Sequence, residues 1–431
     1  MEPVKRSNIL SRLLPIVLFC ALPAILSGQD SKTITLRSAD RLEGKVINGE
    51  DVRELTGHVY FVQPTESGGL VHVWCDRALR YIVQNKVELF GHVRVVRDSS
   101  TLFSDKGVYY GDRRCMETFS GVRLERGSMI LTSQIGKYYM DAKHSEFIEN
   151  VVLIDTSSII TCRDLQYFEE TRQSIALDSA HVIDKTNGTN LYGDSIVHSE
   201  ITQFTSAAKH PRLVQFDTSG SGIIDTTVIT AVLFHSYKDS LERVIAYDNV
   251  QMIRADMASR CEQATFLVKQ DSIILRQRPV IWSSDNQITG DSIFIRMQNK
   301  KLHRLYVHGH AMAISPADSL HPARFNQLTG RQLIMYFFAN KIQQVDVIRN
   351  ATSFYYIFDK KDPNGANKSS GDRIHIYFKD GEIDRIKVVR DVEGQYFPEK
   401  MLNKRESEYN LDGFRLLENK PKRAGIKIVS Q

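Results

Sequence analysis

The chain has 431 residues, 42% of them hydrophobic and 25% charged, with a formal net charge of only +5. These are the proportions of an ordinary folded protein, and they exclude wholesale disorder. Basic and acidic residues are interleaved up to a basic C-terminus, so the charge pattern calls for no nucleic acid.

Residues 1–28 read as a secretory signal peptide. Lys5, Arg6 and Arg12 precede an apolar run from Leu13 to Leu26, and Ser27-Gly28 marks the cut. As a helix such a run rises about 21 Å, short of a bilayer core of roughly 30 Å. Phe19 is too bulky to make Cys20 a lipid-attachment site. No second apolar span of membrane length follows. The four remaining cysteines, Cys75, Cys115, Cys162 and Cys261, are irregularly spaced within strand-like text. They read as buried small side chains rather than a disulfide framework, and no CxxC pair offers a zinc site.

Thr33–Arg37 alternates in polarity like a strand, and Leu55–Phe61 with Trp74–Tyr81 forms a first unit. From Gly91 to Phe168 the chain then says nearly the same thing three times. Val93, Val122 and Val151 stand 29 residues apart, as do Val95, Leu124 and Leu153, and Tyr109, Tyr138 and Tyr167. Such a period means that each unit buries its apolar face by stacking on its neighbours. Looser units follow at Ala180–Asp184 with Leu191–Val197, at Asp248–Arg254, and at Pro279–Trp282 with Thr289–Ile295. Longer ones follow at Gly309–Ile314 and Asn350–Tyr355, and Asp380-Gly381 signals a hairpin near the end. Residues 202–219 read as an irregular insert. Short alternating strands bounded by Gly, Asn and Asp therefore run along the whole mature chain.

The expected fold is all-β, an elongated antiparallel sheet folded over on itself and built from repeats of about 29 residues. The longer connections divide it into segments 29–210 and 211–395, as one continuous body or two in tandem, followed by a basic tail, 396–431. Alternation puts Val93, Val95, Val122, Leu124, Val151, Leu153, Val182, Val250, Met252, Val280 and Trp282 on one ladder. That ladder is either a filled core or the lining of an apolar groove. A groove would suit alkyl chains, since each CH₂ removed from water is worth roughly 0.8 kcal/mol.

Gly-x-Val followed about a dozen residues later by a Ser/Thr-Asp/Gly element ending in Tyr-Tyr resembles the OstA-like, or LptA-type, family of lipopolysaccharide-transport β-jellyrolls. The resemblance spans about residues 40–390. It implies a non-enzymatic periplasmic protein, peripherally associated with the outer membrane, that shields lipid A acyl chains of lipopolysaccharide between two sheets. It implies partners too: an outer-membrane translocon and other jellyrolls, paired edge to edge. The chain is longer than a single jellyroll of this type and lacks a C-terminal barrel, so it reads as a bridge.

No nucleophile elbow, metalloprotease helix, phosphate loop or dinucleotide fingerprint occurs, and no cofactor or metal is expected. His308 and His310 read as a surface or turn pair. Asp194, Asp291 and Asp372 recur at equivalent places and read as turn residues rather than catalytic carboxylates. The tyrosine ladder reads as cross-strand packing. The C-terminal lysines and arginines, from Lys400 to Lys427, read as a solvated tail or as a contact for an anionic partner. The competing architecture is a parallel β-solenoid, carrying either a polysaccharide-active enzyme or no ligand at all.

Overall fold

The computed structural model describes residues 34–65, 69–186, 188–218, 224–298, 301–339, 341–359, 362–380 and 382–422. The signal peptide, Arg423, Lys427 and Gly381 lie outside the described residues. Among the described residues thirty strands join into one sheet. Every strand pairs antiparallel with its neighbours, as in Lys86–Arg97 with Ser100–Tyr110 and His144–Ile154 with Ser158–Phe168. Antiparallel pairing sets aside the parallel solenoid, because neighbouring strands are joined by hairpins rather than crossovers. Near the C-terminus an α-helical turn, Glu399–Leu402, and a 3-10 turn, Glu406–Tyr409, follow the last strand.

The folding-over has a local cause. Most long strands are interrupted once by two consecutive residues in the left-handed region. Gly57-His58, Gly91-His92, Glu149-Asn150, Asp248-Asn249 and Gly309-His310 are such corners. At each corner the pairing register slips, for instance between Phe90 and Val93 and between Tyr247 and Val250. Left-handed backbone suits Gly and is tolerated by Asn, Asp and His. Stacked corners crease the sheet into two leaves that meet along a hinge. The first leaf holds, for example, 86–90 and 144–148, and the second holds 93–97 and 151–154.

At several corners the neighbouring strand supplies an aspartate as a brace. His58 Nδ1 lies 2.8 Å from Asp40 Oδ2, and His92 Nδ1 lies 2.7 Å from Asp76 Oδ2. His210 pairs with Asp194 at 3.2 Å, and His310 with Asp291 at 3.1 Å. The aspartate amide also donates to the corner carbonyl, as from Asp291 to Gly309 and from Asp372 to Arg390. Asp194, Asp291 and Asp372 are thus corner residues, and His310 is a corner partner.

Residues 202–219 are not an irregular insert where they are described. Phe204–Ala208 and Arg212–Thr218 are strands on either side of the corner Lys209-His210. Pairing passes without a break through position 210, from 189–199 through 212–218 and 224–230 to 243–253.

After the last strand, Glu393–Pro398, residues 399–417 form a strap on the outer face of the second leaf. Leu402, Leu411, Tyr409 and Phe414 cover Met312, Ile314, Phe354, Tyr356 and Phe397. The fully buried Arg324 guanidinium meets Glu399 at 2.6 and 3.1 Å and Glu406 at 3.4 Å. Gln327 and Gln287 accept from the Leu411 and Leu417 amides. The first part of the basic segment is therefore packed through its apolar residues, while Lys400, Lys404, Arg405, Lys420 and Lys422 stay exposed.

Candidate functional site

Between the leaves the register defines rows of inward side chains, ordered by distance from the hinge. In the row beside the hinge a larger side chain faces a small one on the next strand. Val59 faces Cys75, Val93 faces Ser104, Val122 faces Ser133, Val151 faces Cys162 and Val250 faces Cys261. Val93, Val122, Val151 and Val250 are between 1% and 4% exposed, a closed core. Burial pushes the thiols of Cys75, Cys162 and Cys261 up to about 12, so they are inert fillers of a repeat position. All four described cysteines are free.

The second row begins at Leu36 and Phe61 and passes through Val73, Val95, Leu102, Leu124, Leu131 and Leu153. It continues through Ile160, Val182, Leu191, Leu213, Ile229 and Met252. Val95, Leu102, Leu124, Leu153, Ile160, Val182, Leu191 and Leu213 are only half-buried. The leaves thus diverge away from the hinge and leave one apolar wall partly open.

Nine of the eleven residues expected on the ladder lie in these two rows. Val280 and Trp282 do not join them. Beyond Met252 the row steps to Ser259 and Ile281, so Val280 and Trp282 point to the opposite side of the leaf. The cause is the corner Gln277-Arg278, after which buried Pro279 takes the place that valine holds in other units. A shift of one residue exchanges the faces of a strand.

The facing wall, on the first leaf, differs in chemistry. Its outer inward row runs Tyr109, Met116, Tyr138, Ser145, Tyr167, Ser174, His198, Thr205 and Ser236. From Val244 onward the same row is apolar, through Phe266, Ile273, Ile295 and Leu305. The tyrosine ladder therefore faces the groove. Its rings cross toward the second leaf instead of stacking only on neighbouring strands.

At the mouth a third row of the second leaf, Gln63–Val71–Arg97–Ser100–Arg126, meets that wall. Gln63 Nε2 donates to the Tyr109 hydroxyl at 3.1 Å. The Arg97 guanidinium lies 5.6 Å from the centre of the Tyr138 ring and 3.6 Å from the Glu169 carboxylate. Burial raises the pKa of the Tyr167 hydroxyl, which Arg126 lowers and Glu200 raises further, with a net rise. Further along, burial lowers the pKa of His198, leaving it neutral at neutral pH. Sequence pattern had offered no reason to single out Arg97 and Arg126. The usable signal was their own 29-residue interval.

Near the N-terminal end the leaves enclose a small apolar cavity of about 30 Å³, lined by Phe61, Val73, Val95, Leu89, Tyr109 and Met116 among others. That volume is of the order of one water molecule.

Among the described residues no group of three or more potential metal ligands gathers, and no helix is long and apolar enough to cross a membrane. Residues 31–194 match the family model described as OstA-like protein. No curated protein matches the chain. Among solved structures it is similar to LptH from Pseudomonas aeruginosa, the LptA homologous periplasmic component of the conserved lipopolysaccharide transport device. Identity there is 13% and the TM-score 0.26, over 33% of this chain and 95% of that one.

Proposed function

Residues 31–194 are OstA-like, and from that premise we propose that the chain is a periplasmic, non-enzymatic bridge that carries lipopolysaccharide toward the outer membrane. The acyl chains of lipid A lie between the leaves. The observation that carries this reading is the apolar row from Val95 to Leu213, continuous from strand to strand and half-buried at every member but the buried Leu131. The exposed part of such a row gains from being covered, and each CH₂ laid on it gains roughly 0.8 kcal/mol.

Segments 29–210 and 211–395 are successive lengths of one groove, the first with a Tyr/Ser wall and the second apolar on the first leaf. Partners of the same fold pair with the edge strands, Arg41–Ile47 at one end and Glu382–Val389 at the other. The site residues are Val93, Val95, Val122, Leu124, Val151, Leu153, Val182, Val250 and Met252, with the second-row members in direct contact with lipid.

Photo-crosslinking tests the placement. A photoreactive amino acid at Leu124, Leu153 or Val182 should crosslink to added lipopolysaccharide, while one at Trp282, on the other face, should not. Equal labelling at Trp282 and Leu153 would sink the groove.

A further inference from the structure

The mouth of the N-terminal units carries a feature that an acyl-chain groove does not require. Moving from the hinge outward on the second leaf, the rows read fully buried Val93 and Val122, half-buried Val95 and Leu124, then Arg97 and Arg126. The two arginines share one inward row with Ser100 between them. Two strand spacings put their backbones about 10 Å apart. Arg97 reaches across the mouth to the Tyr138 ring, and Arg126 occupies the equivalent place one unit on, where the charge of Arg126 lowers the pKa of Tyr167 and that of Glu200 raises it. Arg97 also holds Glu169, an anion on the opposite rim. One interval further on, the position is Asp155, whose oxygens already accept the Ser157 and Ser158 amides and hydroxyls. The equivalent position returns to arginine at Arg254, where Asp256 already holds the guanidinium at 3.2 Å, so the adjacent pair Arg97 and Arg126 is particular to these two units.

We infer that Arg97 and Arg126 form an anion-binding rim for the phosphorylated, hydroxyl-rich headgroup of an amphiphile whose alkyl chains occupy the groove. This rests on the groove reading above and adds the headgroup to it. The order of chemistry along the wall, apolar below and guanidinium above, is the order of groups along such a lipid. Guanidinium recognises phosphate through paired, charge-assisted hydrogen bonds. The Tyr138 and Tyr167 hydroxyls, with Ser145 between them in the same row, present donors and acceptors for sugar hydroxyls on the facing wall. In the closed form Glu169 stands where the anion would bind Arg97, so headgroup capture and opening of the mouth are linked.

The test compares two double variants of equal charge loss on the same two strands. Arg97→Gln with Arg126→Gln removes the inward pair. Arg94→Gln with Arg123→Gln removes an outward pair, in which Arg94 stacks over Trp74. Binding is measured for phosphorylated lipid A and for the same lipid after phosphatase treatment. The inward variant should bind the phosphorylated probe roughly ten-fold more weakly and the dephosphorylated probe unchanged, while the outward variant matches wild type. Inorganic phosphate alone should not compete at millimolar concentration; if it does, the arginines hold a free ion and the headgroup assignment falls. Equal loss from both variants, or loss for both probes alike, also overturns the rim. Wild-type binding of both probes with no change in the inward variant rejects the rim and keeps the groove. Failure of wild type to bind either probe rejects both.

Discussion

At the scale of single residues, the fold is set by its corners. Gly91 has φ 72°, and a Cβ added there would lie 2.3 Å from Asp76 Oδ2. Gly91→Ala therefore combines left-handed strain with a clash against the brace, and should cost at least about 1 kcal/mol by urea unfolding. A variant as stable as wild type would mean that the corner is not a fixed point. The brace itself is electrostatic. Hydrogen bonding to Asp40 and Asp76 raises the pKa values of His58 and His92 above 6.5. A raised folded pKa means that these pairs stabilise fully below the unfolded value, and that the contribution is lost as pH rises through the folded value. In Asp76→Asn the His92 titration, followed by NMR, should move back down toward 6.5, and an unmoved titration would remove the brace. His198 works the other way: burial lowers its pKa, so its contribution is present above 6.5 and is lost as pH falls toward the folded value.

At the scale of elements, strands were legible because alternation and Gly/Asn/Asp punctuation repeat in the sequence. The 29-residue interval placed Val93, Val122 and Val151 correctly. What the sequence did not disclose was where a unit with a substituted corner changes register. Pro279 after Gln277-Arg278 hides the phase, which is why Val280 and Trp282 were expected on the wrong face. The strap was equally hidden. Its contacts are long-range, Arg324 with Glu399 and Gln287 with residues 415–417, and no local period encodes them. Arg324→Ala breaks a buried ion pair and leaves Glu399 and Glu406 without it, so unfolding should be easier by about 3 kcal/mol. No change in the urea midpoint would show the strap to be energetically idle. Removing residues 399–431 should uncover Phe354 and Tyr356 and raise the fluorescence of a hydrophobic dye.

At the scale of the whole molecule, one creased antiparallel sheet carries an inward apolar row from Leu36 to Met252, and sequence alone could assign its members but not its openness. Openness depends on how far two leaves diverge, a property of paired corners rather than of any strand. The polar first-leaf wall escaped notice for the same reason, since Tyr138 and Tyr167 face the groove only because of how their strands pair across the fold. Near the N-terminal end the enclosed space is small, and the contacts Gln63–Tyr109 and Arg97–Glu169 span the mouth. The most direct measurement is native mass spectrometry with lipid extraction, on mature protein purified from the periplasm of a lipopolysaccharide-making host. Co-purifying lipid A species that added lipopolysaccharide displaces are the predicted result. A clean unliganded mass that takes up no lipopolysaccharide would mean that the leaves enclose only their own core, and would contradict the account.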